Sequence, residues 1–82
     1  DVNPGEVVII DDNGITYDTY TTDTQLAVCS MEYIYFARPD SNIQGVNVHT
    51  ARKRMGAQLA REFKHEADIV VGVPNSSLSA AM

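Results

Sequence analysis

The 82-residue sequence has one cysteine, Cys29, no tryptophan, two phenylalanines, and no apolar run longer than five residues. A lone cysteine excludes an internal disulfide, which small secreted domains use to compensate for a small core, and so points to a reducing, cytoplasmic compartment. Runs this short fall far below the roughly 18 residues that cross a bilayer, and no charged-then-apolar leader opens the chain. A soluble protein with no membrane partner is expected. Five glycines and three prolines, against 44% hydrophobic residues, exclude a fibrous repeat and a disordered tract. A chain of this length makes at most one small domain and buries only roughly 60 to 65% of its unfolded surface, so its independent stability is marginal.

Basic residues are also missing from a long stretch. Residues 1–37 hold seven acids and no Lys or Arg, whereas residues 38–82 hold six bases and four acids, so a net charge of −5 divides into −7 and +2. A break this sharp beside the Arg38-Pro39-Asp40-Ser41 turn predicts a boundary between two structural units. The chain opens on Asp1 and ends just after Ser77-Leu78-Ser79-Ala80-Ala81, which reads as a helix start. An internal fragment, cut at both ends, is therefore expected.

Glu6-Val7-Val8-Ile9-Ile10, the turn-forming Asp12-Asn13-Gly14, and the alternating Ile15 to Tyr20 predict a β-hairpin. Val28 to Ala37, apolar on both faces, predicts a strand inside a layered sheet. From Asn47 the period changes. Val48, Ala51, Met55, Leu59, Phe63 and Ala67 recur every three or four residues, with Arg52, Lys53, Arg54, Arg61 and Lys64 mostly between them. This predicts an amphipathic helix over Val48 to Glu66, capped by Asn47 or Thr50, with Gly56 marking a close packing neighbour. Ile69-Val70-Val71-Gly72-Val73 then reads as the first central strand of a parallel α/β sheet.

The segment from Val73 to Leu78 passes from that strand through Pro74-Asn75-Ser76-Ser77 into a helix start. Backbone amides face a ligand at such a position, and Ser hydroxyls bind phosphate or Mg²⁺. Taken alone, Ser before a helix is most often just a cap, and that is the favoured reading of these residues by themselves. Cys29 alone reads as a core thiol, because metal sites need several ligands and none is near it in sequence. Asp11, Asp12 and Asn13 lack the spaced acids of a calcium loop and fit a hairpin turn. His49 and His65 stand too far apart on one helix to share a metal. The basic helix face fits a solvated surface or a phosphate neighbourhood better than nucleic acid, given a pI near 4.6.

Cys29-Ser30-Met31-Glu32-Tyr33-Ile34-Tyr35-Phe36-Ala37-Arg38-Pro39-Asp40-Ser41 closely resembles the junction of the glutamine phosphoribosylpyrophosphate amidotransferases. The likeness continues through Asn42 to Arg52, Met55-Gly56 and Gly72 to Ser77, and its variants resemble the iron–sulfur branch of Bacillus-like bacteria. The resemblance implies an α+β or α/β fragment of a two-domain enzyme. Residues 1–37 would supply closing strands of an N-terminal-nucleophile glutaminase domain. Residues 38–82 would form the linker and the first helix and strand of a type I phosphoribosyltransferase domain. The implied whole enzyme converts phosphoribosylpyrophosphate and glutamine to 5-phosphoribosylamine, pyrophosphate and glutamate, the first committed step of purine synthesis. Its partners would be those substrates and purine nucleotides acting as feedback inhibitors, with homo-oligomers expected.

By the same resemblance, Ser76 falls where the family places a Mg²⁺-associated hydroxyl, with Asn75 and Ser77 flanking it in the pyrophosphate loop. Asn75 replaces a residue that is commonly Asp or Glu in relatives. Cys29 matches the first of four cysteine ligands of a 4Fe-4S cluster, a role conditional on three further cysteines beyond Met82. The glutaminase nucleophile would lie upstream of Asp1 and the paired acids of the ribose site downstream of Met82, so no catalytic residue is expected here and the fragment alone is inactive. A non-catalytic interaction module, or a nucleotide-binding regulatory domain, is the alternative.

Overall fold

A computed structural model describes residues 2–82. Strands β1 (Glu6–Asp11) and β2 (Gly14–Thr19) pair antiparallel from Glu6 opposite Thr19 to Asp11 opposite Gly14. The two-residue connection is local chemistry: Asn13 N–H donates to Asp11 Oδ1 at 2.8 Å, and Gly14 takes a φ of 120°, which a side chain disfavours. At the open end Tyr20 N–H donates to Gly5 O at 3.0 Å. The expected hairpin is present, but both of its faces are largely exposed, and a two-stranded ribbon has little stability of its own.

The strand expected over Val28 to Ala37 is instead a helical turn, with a π-helical stretch α1 at Glu32–Phe36 closed by Ala37 N–H donating to Glu32 O at 3.0 Å. The reason is pairing. A strand exists only with a ladder partner, and the described strands pair as two separate hairpins, residues 6–11 with 14–19 and residues 42–43 with 46–47. The turn closes its own backbone bonds and is fastened from outside: Tyr33 Oη donates to Ile43 O at 2.8 Å.

Next, β3 (Asn42–Ile43) and β4 (Val46–Asn47) make a minimal hairpin around Gln44-Gly45, both at positive φ. It leads directly into helix α2 (Val48–Glu62). Asn47 is its cap: Thr50 N–H donates to Asn47 Oδ1 at 3.1 Å. The helix stops short of the expected Glu66 because nothing packs on the apolar side beyond Glu62, where Phe63 is 63% exposed, and propensity alone does not hold a last turn. Ile69 to Val73, expected as a central parallel strand, is an unpaired segment whose Ile and Val side chains are 71 to 79% exposed. Its apolar character suits a sheet interior, but no described strand offers it a ladder.

The chain ends in α3 (Leu78–Ala81), which packs on α2. Gly56 makes this possible, since a Cβ there would lie 2.0 Å from Ala80 O. The interior is correspondingly small: Val48 is the one fully buried apolar side chain among the described residues, accompanied by buried Arg52 and Ser79. The accessible surface is 7014 Å², against about 4,900 Å² for a compact monomer of this mass. The radius of gyration is 18.1 Å, against about 12 Å. This α+β chain therefore leaves its apolar faces uncovered, as expected of part of a larger fold.

Candidate functional site

The Val73–Ser77 loop curls on itself, with Ser77 Oγ donating to Val73 O, and its Pro74–Asn75 peptide is cis. Pro74, Asn75 and Ser76 form one wall of an open cleft of about 740 Å³, and the end of α1, Arg38-Pro39 and Arg52 form the other. Ser77 is spent inside the loop, so the hydroxyl presented to the cleft is that of half-buried Ser76. Asn75 is exposed beside it. The structure thus brings the three loop residues together but gives them different work.

Arg38 and Arg52 are among the residues lining this cleft, and no acidic residue is, but both guanidinium groups are engaged elsewhere. Arg38 is held outward by Asp40, Nε to Oδ1 and Nη2 to Oδ2, both at 3.0 Å. This hydrogen-bonded ion pair raises the Arg38 pKa and lowers that of the Asp40 carboxyl. Both groups are fully exposed, so solvent screens the pair.

Arg52 is different. It is 3% exposed, and it donates from Nε to Tyr33 O at 2.7 Å and from Nη2 to Ala37 O at 2.9 Å. A cation at the carbonyl end of α1 satisfies groups the turn leaves open. Sequence reasoning placed Arg52 among the solvated basic residues and missed it. The signal was its spacing: Val48, Arg52 and Gly56 lie four apart on one line, and this line faces α1 and α3. Met55, Leu59 and Phe63, the expected apolar stripe, are exposed.

Cys29, expected as a buried thiol opening a strand, is exposed in the segment leading into the helical turn, where its carbonyl accepts from Glu32 N–H at 3.1 Å. Burial failed because the layered sheet that would cover it has no strand here. Among the described residues no three His, Cys, Asp or Glu side chains gather as a metal site. No helix of the described residues is long and apolar enough to cross a membrane.

No family model matches the chain. The amidophosphoribosyltransferase of Bacillus subtilis (strain 168) is 55% identical over 82 residues, all of this chain and 17% of that protein. That of Staphylococcus aureus (strain Mu50) is 59% identical over 81 residues, 99% of this chain and 16% of that protein. The solved glutamine phosphoribosylpyrophosphate amidotransferase from B. subtilis, complexed with ADP and GMP, superposes with a TM-score of 0.81 at 56% identity, over 98% of this chain and 18% of that one. The chain therefore spans about a sixth of the length of these relatives. Residue identity and backbone agree along its whole length, so the chain is similar throughout to one stretch of the amidophosphoribosyltransferases.

Proposed function

We propose that the chain is the junction of a complete amidophosphoribosyltransferase, with residues 1–37 closing the glutaminase domain and residues 38–82 opening the phosphoribosyltransferase domain. The whole enzyme releases ammonia from glutamine and adds it to phosphoribosylpyrophosphate, forming 5-phosphoribosylamine, pyrophosphate and glutamate. One observation carries the reading: the likeness to that enzyme runs unbroken through both halves and through the Val73–Ser77 loop. The large uncovered apolar surface supports it, since the rest of such an enzyme would cover it.

In this reading Asn75, Ser76 and Ser77 hold the pyrophosphate, with Ser76 supplying a hydroxyl to Mg²⁺ or to a phosphate oxygen. One hydroxyl is not a magnesium site. It fits as a single contributor, because Mg²⁺ in phosphate chemistry takes most of its oxygens from substrate and water. When bound, Mg²⁺ would supply positive charge against the pyrophosphate leaving group. The chain's own part is to place Ser76 at the cleft wall and to keep carboxylates out of its lining. A 4Fe-4S cluster does not fit this chain by itself, because Cys29 is one thiolate where four are needed. Cys29 serves as a ligand only with cysteines supplied elsewhere in the enzyme. Purine nucleotides as regulators, a homo-oligomeric state and a cytoplasmic location belong to the same proposal.

In the full-length enzyme, Ser76→Ala removes a hydrogen bond to a charged group, a loss of about 1.5 to 3 kcal/mol. Ammonia-dependent synthesis at subsaturating phosphoribosylpyrophosphate should fall roughly 10- to 150-fold. Glutamine hydrolysis without the ribose substrate should persist. Full synthesis with unaltered Mg²⁺ dependence would reduce Ser76 to a helix cap.

A further inference from the structure

We infer that His49 and Ser79 form a latch that positions the Val73–Ser77 loop, which makes His49 a positioning residue for the phosphate-bearing substrate; this rests on the reading of that loop given above. His49 Nδ1 and Ser79 Oγ lie 2.8 Å apart, joining residues thirty positions apart in sequence, with the direction of the hydrogen bond following the imidazole tautomer. Ser79 is 4% exposed, so its hydroxyl needs a partner within the protein.

The His49 end of the latch is anchored. Its own N–H donates to Pro39 O at 3.0 Å, and the preceding Val48 N–H donates to Ser41 O at 3.0 Å. The start of α2 is thereby tied to the Arg38-Pro39 wall of the cleft. Among the described residues the Ser79 end is held by packing rather than by backbone hydrogen bonds to other elements. Helix α3 follows a segment, residues 63–73, that pairs with no described strand, and it meets the rest of the chain through Gly56 and Gly72. Contact between Gly56 and Ala80 sets how closely α3 approaches α2. This contact and that of Gly72 with Leu78 and Ala81 are non-directional, however, and restrain rotation of α3 about its axis only by shape. The His49–Ser79 bond fixes that rotation. Ser76 lies three residues before Ser79, and both line the same cleft, so turning α3 carries Ser76 with it. His49 does not line the cleft and therefore acts through Ser79 rather than on a ligand.

The test uses the full-length enzyme with ammonia and phosphoribosylpyrophosphate as substrates, measuring KM and kcat separately alongside the urea midpoint. Ser79→Ala and His49→Leu should each raise the KM for phosphoribosylpyrophosphate by roughly 2- to 12-fold, the span of one neutral hydrogen bond. The effect on kcat should be smaller. The double variant should be no worse than the more affected single one, because both remove the same bond. Ser79→Thr and His49→Asn, which keep a polar atom at the contact, should recover most of the KM. Unchanged KM in both singles, effects that multiply in the double, or a KM loss that tracks the urea midpoint with no recovery in Ser79→Thr, each overturns the latch. Ser76→Ala separates the two ideas. If it raises KM while the latch variants do not, the latch fails and the loop reading stands. If the latch variants raise KM and Ser76→Ala does not, the latch stands and the role of Ser76 fails.

Discussion

The hairpin half and the helical half of this chain follow different rules. Residues 6–19 are ordered by turn chemistry and ladder bonds alone, and their side chains, such as Ile10 at 76% exposure, touch little. Residues 32–62 are ordered by longer-range polar ties, Arg52 to α1 and Tyr33 to β3, together with the local cap at Asn47. The first half is a structure waiting for a cover. The second carries a small interior of its own, built around one valine and one arginine.

The largest effect expected is at Arg52. In the full-length enzyme, Arg52→Ala leaves two carbonyls without their charged donor, and at about 1.5 to 3 kcal/mol per bond the loss should total about 3 to 6 kcal/mol. The urea transition reads it, and Arg52→Lys should recover little, since one ammonium does not reproduce a planar fork. A loss below about 1 kcal/mol would break the contrast between the halves.

Gly56→Ala comes next and tests which of two effects wins. Helix propensity favours alanine by about 1 kcal/mol, but the new Cβ meets a backbone oxygen at 2.0 Å, and overpacking costs about 1 to 3 kcal/mol. Net destabilisation is expected, seen as a lower urea midpoint. Stabilisation would show that α3 moves away freely.

Ile10→Asn sharpens the other side of the contrast. If the rest of the enzyme covers the hairpin, the lost burial costs about 1.5 to 3 kcal/mol in the whole protein, measurable as a lower Tm. Absence of any shift would mean that this face stays open.

The smallest effect belongs to Asp40. Its pKa is lowered first by the hydrogen bond from Arg38, so the pair contributes above the unfolded carboxyl pKa and loses that contribution as pH falls through the lower folded value. Both partners are fully exposed, so Asp40→Asn should leave the neutral-pH urea midpoint unmoved, with any difference from the parent vanishing in acid.

How much was legible follows from the reach of each interaction. The Asp12-Asn13-Gly14 turn, the Asn47 cap and the packing demand at Gly56 were readable because each depends on neighbours within a few residues or on what a single residue lacks. The strands assigned to Val28–Ala37 and Ile69–Val73 were misplaced because β-character in a sequence declares only an appetite for pairing, and the partners are not in this chain. Arg52 escaped because a long cation in a helix resembles a solvated one until its burial is known.

The sequence by itself determined the hairpin and the start of the long helix, both of which rest on local chemistry. Tertiary structure alone decided that Arg52 is buried against the carbonyls of Tyr33 and Ala37, that Cys29 is exposed, and that Ser76 rather than Ser77 faces the cleft. Each of these depends on a group distant in the chain or on a loop closing upon itself, and such closure is a property of the fold rather than of any short run of residues.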